Sequence, residues 1–69
     1  MDCKGKSSWP ELVGVDGKKA VAIIERQNPL VEAFNVEEGL GVHLDFRCER
    51  VWVWTDKECG KVIEIPKIG

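Results

Sequence analysis

The run Arg50-Val51-Trp52-Val53-Trp54-Thr55 constrains this chain more than any other segment. Its alternation reads as a β-strand, because successive side chains of an extended chain leave opposite faces. Val51 and Val53 share one face, and Arg50, Trp52 and Trp54 share the other. Such a strand needs neighbours in a sheet and a layer over its aliphatic side. Within 69 residues there is room for one core of this kind, so residues 1–69 are expected to form a single domain. A chain so short buries only about 60% of the surface its unfolded form exposes, and its core is thin.

The rest of the chain supplies what that strand needs. Trp9 is a large apolar anchor, and Pro10 suits the first turn of a short helix that Gly14 ends. Asp16 can cap a second helix whose apolar positions Ala20, Ile23 and Ile24 fall on one face. Asn28-Pro29 stops it, since the residue before proline is pushed out of the helical region. Residues 30–36 read as a strand, and Val62-Ile63-Glu64-Ile65 as a short last strand closed by Pro66. The polar turn Asp56-Lys57-Glu58-Cys59-Gly60 makes the last two strands antiparallel. Residues 37–47 show no periodicity, and a connection of eleven residues is long for so small a domain. It is long enough for a crossover that leaves the first two strands parallel. The expected fold is α+β, one amphipathic helix on a small mixed sheet.

Composition removes several function classes. Ten basic and twelve acidic side chains, without a Lys/Arg cluster, speak against nucleic acid or an anionic membrane. No uncharged stretch exceeds six residues, so neither a membrane span nor a signal-peptide core is expected. Gly39 and Gly41 lack the strand–helix context and lysine of a phosphate loop. His43, the lone histidine, has no catalytic cluster around it, and the chain reads as a binder rather than an enzyme. Three cysteines, Cys3, Cys48 and Cys59, allow one bridge and one leftover. Their spacing lacks the close ligand pairs of a zinc site, so no metal or cofactor is expected.

Four segments carry a resemblance: Lys6-Ser7-Ser8-Trp9-Pro10-Glu11-Leu12-Val13-Gly14, Ala22-Ile23-Ile24-Glu25-Arg26-Gln27-Asn28-Pro29, Asp45-Phe46-Arg47-Cys48-Glu49-Arg50-Val51-Trp52-Val53 and Ile65-Pro66-Lys67-Ile68-Gly69. Together they are similar to the potato inhibitor I family of plant serine-protease inhibitors, above all its cucurbit and seed members with one disulfide. The resemblance implies a wedge in which a protease-binding loop, residues 37–47, joins two parallel strands. It places the reactive bond between Leu44 and Asp45, with Leu44 as primary specificity residue. Gly41, Val42 and His43 would precede it, and Phe46 and Arg47 would follow on the leaving side. Cys3 and Cys48 match the family's bridged pair, which would tether the arm formed by residues 1–8. The loop closed by that bridge corresponds to about 4 kcal/mol in the chain-entropy model. Arg50 matches a scaffold arginine that reaches back under the loop.

Two positions depart from the family pattern. His43 stands where Thr is usual, and Trp52 stands where many members carry a second loop-supporting arginine. Leu44 suits the apolar pockets of chymotrypsin-, elastase- and subtilisin-like serine proteases, not the carboxylate of a trypsin pocket. The expected partner is such a protease, bound by a monomer whose leftover Cys59 is open to a covalent dimer. A bridge favours an extracellular or vacuolar setting. The alternative reading keeps the scaffold as a plant defence or storage protein that inhibits weakly or not at all and binds a non-protease partner.

Overall fold

The computed structural model describes residues 3–39, 41 and 45–69. Its first element is a 3-10 turn, Pro10–Leu12, where proline's fixed φ costs nothing and its missing N–H would have no helical partner. The helix α1, Gly17–Gln27, starts at Asp16, whose carboxylate accepts the backbone N–H groups of Lys18 and Lys19. That satisfies two of the donors a helix start leaves free. Ala20 and Ile24 are fully buried and Ile23 packs beside them, so the three-and-four spacing marks the buried face. The helix ends at Asn28, before Pro29.

Three strands follow: β1, Glu32–Glu37; β2, Arg50–Thr55; and β3, Lys67–Ile68. They form one sheet in the order β1-β2-β3, with β1 parallel and β3 antiparallel to β2. Ala33 lies opposite Val51 and Asn35 opposite Val53, on the side covered by α1; Phe34 lies opposite Trp52 and Val36 opposite Trp54 on the other. The core gathers Trp9, Leu12, Ala20, Ile24, Val31, Ala33, Val51, Val53, Val62 and Ile68. Trp9, the expected apolar anchor, is fully buried, and its indole N–H donates to Gln27 Oε1 at 2.9 Å. The expected α+β architecture, parallel pair included, is the one observed.

Two boundaries differ from the sequence reading. β1 starts at Glu32 rather than at residue 30, because the Asn28 side chain accepts the Leu30 N–H at 3.1 Å and holds that stretch in a turn. The larger correction concerns the last strand. Val62 makes only an isolated bridge to Thr55, the chain bends at Glu64, and the ladder to β2 resumes beyond Pro66, at Lys67–Ile68. Proline was read as a terminator because it has no N–H to give a ladder. It does interrupt pairing, but its carbonyl accepts the Trp9 N–H at 2.8 Å and fixes the chain's return. Lys67 is thereby paired to Trp52 on one side and bridged to Ser8 on the other.

Candidate functional site

Parallel pairing of β1 and β2 dictates where the loop must go. β1 ends at Glu37, opposite Thr55, and β2 begins at Arg50, opposite Glu32. Residues 38–49 must therefore carry the chain back along the sheet, a run of roughly 17 Å at about 3.3 Å per residue. The loop is anchored at both ends. Glu38 donates its N–H to the Thr55 carbonyl at 2.8 Å, and Glu32 donates to the Glu49 carbonyl at 2.8 Å. At the exit, Cys48 is bonded to Cys3 across a sequence separation of 45 residues. Gly39, at φ +90°, occupies the left-handed region that a side chain disfavours.

Between those anchors sits the densest polar cluster of the described residues. The Arg50 side chain, only 10% exposed, runs from the first residue of β2 to Asp45. Its Nη2 donates to the Asp45 main-chain carbonyl, and its Nη1 lies 3.4 Å from Asp45 Oδ1. Its Nε donates to the Gly69 carbonyl at 3.0 Å, while the Gly69 N–H donates back to the Arg50 carbonyl at 2.9 Å. The guanidinium also stacks over Trp52, 4.8 Å from the ring centroid, and Trp52 packs on Phe34 at 5.4 Å. An arginine held at so many points has few alternative rotamers, and its charge is largely shielded from water.

Asp45 is gripped from a second direction. Arg47 Nε donates to Asp45 Oδ2 at 2.8 Å, and Arg47 Nη1 lies 3.7 Å from Glu49 Oε1. The Arg47 hydrogen bond, followed by the charge of Arg50, holds the Asp45 carboxyl below the ordinary carboxylate range despite some loss of hydration. Asp45 in turn raises the pKa of Arg47. Phe46, between them in sequence, is 62% exposed, and Gly41 is exposed as well. Val42, His43 and Leu44 lie outside the described residues.

The N-terminal arm is held to the loop exit by more than its cysteine. Asn28, almost fully buried, donates through Nδ2 to the carbonyls of Lys4 and Lys6, each at 3.0 Å. Gly5 lies so close that a Cβ there would come within 2.8 Å of Asn28 Nδ2. Sequence reading took Asn28 only as a helix stop. Its one visible signal was an amide at a helix end beside a proline, too common a pattern to reveal an anchor. Gly69 was missed for a similar reason, since a backbone carbonyl leaves no trace in residue type. Cys59 is exposed and unbridged in the turn, where Asp56 accepts the N–H groups of Glu58 and Cys59. Among the described residues, no group of His, Cys, Asp and Glu side chains is arranged to hold a metal ion.

Parallel strands joined by a long connection, whose exit is bridged by a disulfide and gripped by an arginine, form an architecture with known relatives. The potato inhibitor I family model matches residues 2–69. The chain belongs to the potato inhibitor I family. Members of this family inhibit proteases; the chain is not an enzyme. It is 60% identical over 67 residues to an inhibitor of trypsin and Hageman factor from Cucurbita maxima, covering 97% of each chain. It is 51% identical over 67 residues to a trypsin/subtilisin inhibitor from Amaranthus caudatus, covering 97% of this chain and 96% of that one. Among solved structures, that of the bitter gourd trypsin inhibitor superposes with a TM-score of 0.94 at 51% identity, covering all of both chains.

Proposed function

We propose that this potato inhibitor I chain is a substrate-like inhibitor of serine proteases whose reactive bond is Leu44–Asp45. Leu44 fills the primary pocket of a chymotrypsin-, elastase- or subtilisin-like enzyme, and Phe46 and Arg47 follow on the leaving side. Val42, His43 and Gly41 line the acyl side.

The observation that carries this reading is the grip of the shielded Arg50 guanidinium on Asp45, with Trp52 stacked beneath it. A loop already held extended loses little conformational entropy on docking, so more of its contact energy appears as affinity. Asp45 supplies the amine that leaves when the protease serine is acylated. Kept beside the acyl bond by Arg50, and by Cys48 three residues on, that amine re-forms the peptide bond faster than water cleaves the acyl-enzyme. Interfaces of this kind bury on the order of 1,600 Å² in total and reach very tight binding. The Amaranthus caudatus relative inhibits both trypsin and subtilisin; Leu44 fits the apolar pocket of the second, whereas a trypsin pocket carries a carboxylate that wants Lys or Arg.

Titration against chymotrypsin, elastase, subtilisin and trypsin tests the reading. Tight, near-stoichiometric inhibition of at least one of the first three, with trypsin inhibited much more weakly, is expected. Absence of inhibition across the whole panel would return the scaffold to a defence or storage role with another partner.

A further inference from the structure

We propose that the cleft between the open face of the sheet and the loop exit binds a small aromatic amine, with its ring on Phe34 and Trp52 and its ammonium at Glu32 and Glu49. This binding is separate from the inhibition proposed above and involves no protease.

Strand register builds the cleft. Parallel pairing sets Glu32 opposite Arg50 and Phe34 opposite Trp52. Each pair is two residues along its strand from the other, so all four side chains leave the sheet on the side away from α1. The loop exit supplies the second wall through Asp45, Arg47 and Glu49, and the two walls bound about 620 Å³. Sites for small molecules span roughly 300–1,000 Å³ and pair an apolar floor with a few polar groups. Here the floor is aromatic. The Phe34 and Trp52 rings meet at 5.4 Å with their planes tilted by 47°, and Phe34 is 38% exposed. A third ring can join such a wedge in the offset or edge-on contacts that aromatic groups favour.

Charge selects the occupant. Three carboxylates, of Glu32, Asp45 and Glu49, line the cleft beside the two guanidiniums of Arg47 and Arg50. Both guanidiniums are already engaged. Arg50 bonds to Asp45 and the Gly69 carbonyl and lies over Trp52, and Arg47 bonds to Asp45 and lies near Glu49. The exposed Glu32 carboxylate, by contrast, forms no ion pair among the described residues. Glu49 is 64% exposed, and its one cationic neighbour among them, Arg47 Nη1, stands 3.7 Å away. The cleft thus carries one negative charge in excess beside an aromatic floor, which complements one positive charge on an aromatic body. An anion of the same shape would meet Glu32 and Glu49 and find both guanidiniums taken. Exposed charge contacts are individually weak, so the ring supplies most of the affinity and the charge decides which ligand is taken.

The test titrates phenethylamine into the intact, disulfide-bonded protein and follows it by NMR, with 3-phenylpropionate as a probe of similar shape and opposite charge. Phenethylamine should give saturable shifts centred on Glu32, Phe34, Glu49 and Trp52, with a dissociation constant of about 1 mM for so small a ligand. The indole resonance of the buried Trp9 should stay in place. 3-Phenylpropionate should bind about five- to tenfold more weakly, and Glu32→Gln should weaken phenethylamine about two- to fivefold. Phe34→Ala should abolish saturation, and an unmoved Trp9 indole shows that each variant is folded. Equal binding of the two probes would reduce the cleft to an unselective apolar surface and overturn the proposal. Shifts centred elsewhere, or no saturation by about 10 mM, would overturn it too. So would movement of the same resonances on raising protein concentration without ligand, which would assign the face to a second copy of the chain. The outcome is independent of the reactive-bond assignment, whose failure would appear in the protease panel instead.

Discussion

At the scale of single residues, the proposed function divides among a few side chains with separable jobs. Leu44 is assigned to the pocket alone, so Leu44→Lys should shift inhibition from chymotrypsin- and subtilisin-like enzymes towards trypsin. An unchanged ranking of inhibition constants would remove Leu44 from the pocket. Arg50 is assigned to loop support. Its charged hydrogen bonds to Asp45 are of a kind worth about 1.5–3 kcal/mol, so Arg50→Ala should weaken inhibition by roughly one to two powers of ten. Val53, fully buried on the opposite face, should behave in reverse. Val53→Ala should cost about 2 kcal/mol of stability and leave inhibition of the folded fraction nearly unchanged. Comparing denaturation midpoints with inhibition constants for the two variants checks this division. Asp45 adds a pH dependence. Its folded pKa is lowered, so it contributes stability above the ordinary carboxylate range and loses it as pH falls through the lowered value. Among the described residues, Arg47 and Arg50 face it, and Glu49 lies beside Arg47. The melting-temperature gap between the parent and Asp45→Asn should be small at neutral pH and close on acidification. A gap that widens in acid would contradict the ion pairs.

At the scale of elements, the helix and the strongest strand were readable because each announces itself locally. Asp16 caps α1 through its own carboxylate, and Pro29 stops it through backbone sterics. The alternation of Val51 and Val53 against Trp52 and Trp54 marked both faces of β2. β3 was misplaced because a two-residue strand carries no period, and because Pro66 looked like an end when its carbonyl is a docking point for Trp9. The arm was expected to be tethered by Cys3 alone, yet Asn28 holds it as well. Two separate tethers predict a particular pattern. Asn28→Ala should lower stability by about 1–3 kcal/mol, because two arm carbonyls lose their donor. Breaking the Cys3–Cys48 bond should cost about 2–5 kcal/mol. The arm should become fully susceptible to proteolysis only when both are removed. Complete trimming of the arm after reduction alone would show that Asn28 holds nothing.

At the scale of the whole molecule, the chain places a thin core on one side of a three-stranded sheet and holds the loop exit at Asp45 through Arg50. Cys59 stands outside this arrangement, exposed in the turn before Val62. It should react with a thiol reagent in the native protein, and Cys3 and Cys48 only after reduction; counting labelled peptides decides it. The sequence alone determined the helix, the alternating strand, the crossover length and, through the family resemblance, the bridged cysteines; the reactive bond proposed at Leu44–Asp45 rests on the same resemblance. The helix, the strand and the crossover are written in neighbouring residues, whereas the pairing of Cys3 with Cys48, 45 residues apart, came from the family pattern. The tertiary structure decided what distant segments do to one another. It brought the Gly69 carbonyl to Arg50, and Asn28 to the carbonyls of Lys4 and Lys6. It also turned Trp52 into a stacking partner for Arg50. Most of these partners are backbone carbonyls, which every residue carries, and the last is an aromatic face, which accepts many neighbours. Residue type therefore does not reveal them, and only the folded path of the chain selects which carbonyl, or which face, meets the Arg50 guanidinium or the Asn28 amide.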